Sequence, residues 1–174
     1  MVREALAPLR SQRQVGPPAF AGYVPAGSVV LASLLAALPL VPTQGWYPDF
    51  GYLLFLGWRL LRADPWPSWW AAPLGLVNDV FTGYPLGYSV ALWSATMIVL
   101  DLIDRRTMWR DYWIEWMLAG MLIVVDEALQ WRVAKVVEAA PPLISIVPPI
   151  VISILVFPFV AYVVGRLDAW RLGR

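Results

Sequence analysis

Apolar residues gather along this chain in six stretches, near 22–42, 49–61, 68–82, 86–103, 112–131 and 141–164, with short polar or Pro- and Gly-bearing connections between them. A helix that crosses a bilayer needs roughly 20 such residues. The pattern therefore predicts an all-α integral membrane protein built as a compact six-helix transmembrane bundle. The second stretch is the shortest, and a tilted, partly buried or re-entrant placement of it would leave five spans. The division that follows is a cytosolic N-terminal tail over 1–21, a transmembrane bundle over 22–165 and a cytosolic basic tail over 166–174.

Charge placement tests the count. With the N-terminus in the cytosol, Arg3, Arg10, Arg13, Arg59, Arg62, Arg105, Arg106, Arg110, Arg166, Arg171 and Arg174 fall inside, and Arg132 and Lys135 are left outside. That asymmetry is the one the positive-inside rule describes. Dropping the second span would put the later basic loops on the wrong side, so six spans with both ends cytosolic is preferred. The tryptophans cluster at segment ends, in "PWPSWW", "MWRDYW" and "LQW", where an amphipathic indole suits the headgroup level. The basic, Pro-interrupted start "MVREALAPLRSQRQVGPPAFAGY" lacks an Ala-x-Ala style cleavage site and reads as a tail rather than a cleaved signal.

Composition agrees with a lipid environment: 60% of the 174 residues are hydrophobic and 14% charged, with a mean hydropathy of +0.63. The net charge of +1 points to no nucleic-acid or acidic partner. No Cys and no His occur, which removes disulfides, thiolate or imidazole metal sites and His-dependent catalysis. No nucleophile motif or phosphate-binding Gly loop accompanies the carboxylates. The expectation is a non-enzymatic protein without cofactor or metal.

Polar residues inside the apolar stretches are the candidates for function. Asn78 and Asp79 stand together one turn before a tight connection at Gly83, Tyr84 and Pro85. In the six-span topology Asp79 lies near the outer, C-terminal end of the third helix, where the helix dipole disfavours an anion. The free amides of Leu86, Gly87 and Tyr88 at the start of the next helix offer compensation across the hairpin. On that reading Asp79 staples two antiparallel helices, Pro85 starts the second, and Gly83 and Gly87 allow close approach. A salt bridge to Arg132 or Lys135 and a bound ligand or proton are the alternatives. Ala72, Gly75, Asp79 and Thr82 form a small or polar stripe suited to close helix packing in lipid. A second stripe, Glu115, Ala119, Leu122, Asp126 and Gln130, with Glu127 adjacent, brings Asp126, Glu127 and Gln130 to the level of Asp79. They read either as a solvated helix end near Arg132 or as a polar cluster, internal or meeting a partner. The mixed polar and aromatic edges of the second and fifth helices suit a transmembrane partner.

The string "GLVNDVFTGYPLG", Gly75 to Gly87, resembles the signature of the bacterial rod shape-determining MreD family: Gly-Leu, an Asp shortly after, a short gap and Pro-Leu-Gly. The preceding "YPDFGYLLFLGWRLLR" and the apolar C-terminal helix with its basic tail extend the likeness. Asn78 departs from it, standing where the family is expected to carry an apolar residue. The resemblance implies a scaffold of the cell-elongation machinery in the bacterial inner membrane, supporting lateral peptidoglycan synthesis. It also implies direct pairing with the bitopic protein MreC within a wider complex of MreB, RodA and a penicillin-binding transpeptidase. Self-association is left open. The implied fold is similar to the substrate-binding components of energy-coupling-factor transporters, which makes a vitamin-type transporter subunit the alternative. Few polar groups are expected inside the bundle to read such a ligand.

Overall fold

The computed structural model describes residues 19–37, 47–62, 67–104, 111–137 and 142–173. All regular structure among them is helical: α1 Val24–Ala36, α2 Phe50–Leu61, α3 Ala71–Thr82, α4 Tyr88–Asp104, α5 Tyr112–Val137 and α6 Val147–Arg171. Short 3-10 turns at Ser68–Trp70 and Leu143–Ile146 lead into α3 and α6. Each helix falls on one of the six apolar stretches, and local signals set its ends. Asp49 caps α2 by accepting the Tyr52 N–H at 3.0 Å. Gly83, at φ 74°, closes α3 in the left-handed conformation that favours glycine.

Lengths depart from the expectation. By length and composition only Leu143–Arg171, with a hydropathy of 2.6, suffices among the described residues to cross a membrane; α1 and α2 are apolar but shorter. α5 runs on to Val137, past the predicted end at 131. α6 runs through Arg166 to Arg171, so most of the segment read as a basic tail is helix. The reason is ionic: Asp168 is buried and pairs with both Arg62 and Arg171, which ties that last turn to α2. Pro158 does not break α6. It has no N–H to give to the Ile154 carbonyl, and the Trp116 indole of α5 donates to that carbonyl instead, at 3.2 Å. The tail before residue 19, the end of the first stretch at 38–42 and the basic loop at 105–110 lie outside the described residues.

α2 is the central helix. From Gly51 to Leu60 it is buried except for half-buried Leu54, and α1, α5 and α6 pack on it. Phe55 of α2 stacks on Trp93 of α4 with ring centroids 4.7 Å apart. α3 packs against α1 and α4, and α5 against α6. The α3·α4 contact depends on Gly75: a Cβ there would lie 2.7 Å from the Ser89 and Val90 backbone. Gly75→Ala is therefore expected to destabilise the fold by about 1 to 3 kcal/mol. A melting temperature equal to that of the parent would contradict the close approach.

The mainly apolar core encloses a polar set, and many large apolar side chains face outward. Ser33, Asn78, Asp79, Ser89, Thr96, Asp126 and Ser153 are buried, whereas Leu31 and Leu35 of α1, Leu76 and Val80 of α3, Ile98 of α4, Met117 and Met121 of α5, and Leu155 and Phe159 of α6 are exposed. Water-soluble monomers seldom expose so continuous an apolar surface. The two ends of the bundle also differ. One holds the α3–α4 turn with Asp49, Asp79, Asp126 and Glu127. At the other, Arg59 of α2, 3% exposed, pairs with Asp101 and Asp104 of α4, and Ser68 donates to Asp101 at 2.7 Å. Arg171 lies 5.2 Å over the Trp58 ring.

Candidate functional site

The acidic end is organised around Asn78. Its side-chain oxygen accepts the Ser33 hydroxyl of α1 at 2.7 Å. Its amide nitrogen donates to the Asp49 carboxylate at 2.7 Å and to Ser89 of α4 at 3.2 Å. One fully buried carboxamide on α3 thus joins α1, the cap of α2 and α4. Asn78 is the hub of the network.

Asp79, beside it, accepts two backbone amides of the next helix, Gly87 at 2.7 Å and Ser89 at 2.7 Å. Gly87 is one of the three donors expected; Ser89 takes the place of Leu86 and Tyr88, because the Tyr88 amide is used within the turn on the Pro85 carbonyl. Pro85 accordingly lies in the turn, and α4 starts only at Tyr88. Gly83 and Gly87 serve backbone conformation, at φ 74° and 98°, and have no neighbour that a Cβ would strike. Close approach belongs to Gly75 alone of the three. Lys135, one expected counter-charge for Asp79, lies 5.0 Å over the Trp131 ring instead.

Two tyrosines clip the turn to α5. Tyr84 donates to the Gln130 side-chain oxygen at 2.9 Å, and Tyr88 donates to the Asp126 carboxylate at 2.9 Å. Gln130 returns its amide to Asp126 at 3.1 Å. Burial, followed by the charges of Asp49, Asp126 and Glu127, pushes the Tyr84 phenol well above its usual range, so it remains a protonated donor. Asp126 and Glu127 are buried, at 3% and 8% exposure. Of the two readings of this stretch, the arrangement is the internal cluster rather than a solvated helix end.

Sequence reasoning missed Ser33, Asp49 and Ser89, and the side-chain roles of Tyr84 and Tyr88. Asp49 carried a visible signal, an acidic residue just before an apolar helix. The polar content of the interior exceeds the expectation, yet these groups hydrogen-bond to one another. Chemically the cluster is a hydrogen-bonded set that joins α1, the cap of α2 and α4 to α3 and clips α5 to the α3–α4 turn, and among the described residues no three His, Cys, Asp or Glu are grouped to hold a metal. Comparison with protein-family models, curated proteins and solved structures finds no match to this chain.

Proposed function

We propose that this chain is a multi-pass membrane scaffold of the MreD type, with six spans and both termini in the cytosol. It pairs with MreC and supports lateral wall synthesis in the bacterial elongation machinery. The observation that carries this reading is what the Gly75–Gly87 string builds. Gly75 lets α4 approach, Asp79 holds the first amides of α4, and Gly83 and Gly87 supply the left-handed turn. The motif is therefore a folding unit that presents a rigid helical hairpin, as a scaffold requires, rather than a reacting group.

Two further features support membrane placement. Buried polar side chains under an exposed apolar surface suit lipid as the solvent. The arginine end, with Arg59, Arg62 and Arg171, corresponds to the cytosolic side under the positive-inside rule, and the acidic end to the outer side.

Co-purification tests the function. Tagged protein extracted from native membranes in mild detergent is expected to retain MreC, and removal of MreC's soluble wall-side domain is expected to weaken but not abolish the pairing. A thermal-shift screen against vitamins and other small solutes runs in the same detergent. Ligand-induced stabilisation without MreC association would overturn the scaffold reading in favour of the transporter subunit.

A further inference from the structure

A cavity of about 330 Å³ lies between the start of α5 and the middle of α6, where the last residue of α2, Leu61, lines one side. The neighbouring Arg62, held on Asp168 of α6, places it at the arginine end. Its walls are aromatic: Tyr112 and Trp116 come from α5, Phe157 and Tyr162 from α6, and Ala161 contributes only a methyl group between them. Phe157 is buried, and the two tyrosines are exposed. The Trp116 indole N–H is used on the Ile154 carbonyl of α6, at 3.2 Å, so what it offers the cavity is ring surface rather than a donor. The rings have fixed backing.

Glu115, half-buried one turn into α5, is the charged member of this lining. A carboxylate among aromatic rings selects for positive charge: the carboxylate accepts the N–H groups of an ammonium, and the ring faces add cation–π attraction. A metal ion of the hard type needs several oxygen ligands, and among the described residues no three acidic side chains are grouped to give them. An organic ammonium needs one. Beyond Tyr162 by one turn, on the same outward face of α6, stands the exposed Arg166, whose guanidinium suits a phosphate. Anionic cavity and cationic rim together match a small zwitterion.

Resting on the membrane reading above, we propose that this cavity binds the ammonium of an ethanolamine phosphate group, with Glu115 and the surrounding rings on the ammonium and Arg166 toward the phosphate. The phenols of Tyr112 and Tyr162 and the nearby arginines belong at the depth of lipid headgroups, so a phospholipid of the leaflet at the arginine end can present such a group sideways. A soluble ethanolamine phosphate carries the same chemistry.

Melting temperature in detergent, followed during titration, tests this with short-chain phosphatidylethanolamine, phosphatidylglycerol of the same chain length and soluble O-phosphoethanolamine. Phosphatidylethanolamine is expected to stabilise the protein at concentrations where phosphatidylglycerol, which lacks the ammonium, does not. Glu115→Gln keeps the size of the side chain and removes its charge, and should weaken that binding about tenfold. Tyr162→Ala removes an exposed ring without touching the core and should weaken it about threefold; it decides alone if Glu115→Gln does not fold. Equal stabilisation by the two lipids, or affinity for phosphatidylethanolamine unchanged in these variants, would overturn the proposal. O-phosphoethanolamine as effective as the lipid would uphold the ammonium site with a soluble source, and a lipid far more effective would uphold it with the bilayer as source. Release of the chain from native membranes by alkaline carbonate would instead overturn the membrane reading, whatever the selectivity between headgroups.

Discussion

Asn78→Leu is expected to lose about 3 to 6 kcal/mol of stability, the largest effect of any single substitution considered. Removing the carboxamide strands the buried Ser33 and Ser89 hydroxyls and takes one donor from the half-buried Asp49 carboxylate, which keeps the Tyr52 N–H. Each buried group left without its partner costs about 1 to 3 kcal/mol, and a charged one more. Leucine also brings its branched end against these same polar atoms. The protein should melt far below the parent when the folded fraction is followed by size-exclusion after heating in detergent. Ser89→Ala, which removes only the 3.2 Å bond, should cost about 1 kcal/mol. Equal melting of the two variants would contradict the hub.

The second large effect belongs to Asp79. Its carboxylate sits near the C-terminal end of α3, where the dipole opposes it, and two charge-assisted bonds of 2.7 Å outweigh that opposition. Asp79→Leu leaves the Gly87 and Ser89 amides without an acceptor, a loss of about 2 to 6 kcal/mol. Asp79→Asn keeps one acceptor oxygen and should fall between the leucine variant and the parent. The amount of folded protein in the membrane, compared at equal expression, checks the order. Normal abundance of Asp79→Leu together with complete loss of MreC binding would make Asp79 a contact residue rather than a staple.

What the sequence made legible was local. Six apolar runs became six helices because hydrophobic length and the flanking Gly and Pro residues act over neighbouring positions. Asp79 was readable for the same reason, since its partners Gly87 and Ser89 lie just across a turn announced by Gly83 and Pro85. Asn78 was not, because its bonds reach Ser33 and Asp49, far back in the chain. Tyr84 and Tyr88 were read only for their place in the turn and their backbone; the α5 partners of their side chains emerge only once the turn packs there. Arg59 entered the topology as a positive charge, and the pattern gave no sign that it would be buried between Asp101 and Asp104. The end of α6 was misplaced because basic residues suggested a solvated tail, whereas Asp168 draws Arg62 and Arg171 into the helical bundle.

The central claim is a bundle that crosses the membrane with its acidic end outside and its arginine end in the cytosol. The absence of native cysteine makes a direct measurement simple. Leu86→Cys, exposed in the α3–α4 turn, and Gly173→Cys, exposed beyond α6, are treated separately in intact cells with a membrane-impermeant maleimide. Leu86→Cys should be labelled at once and Gly173→Cys only after permeabilisation. Labelling of Gly173→Cys in intact cells, or protection of Leu86→Cys there, would contradict the account.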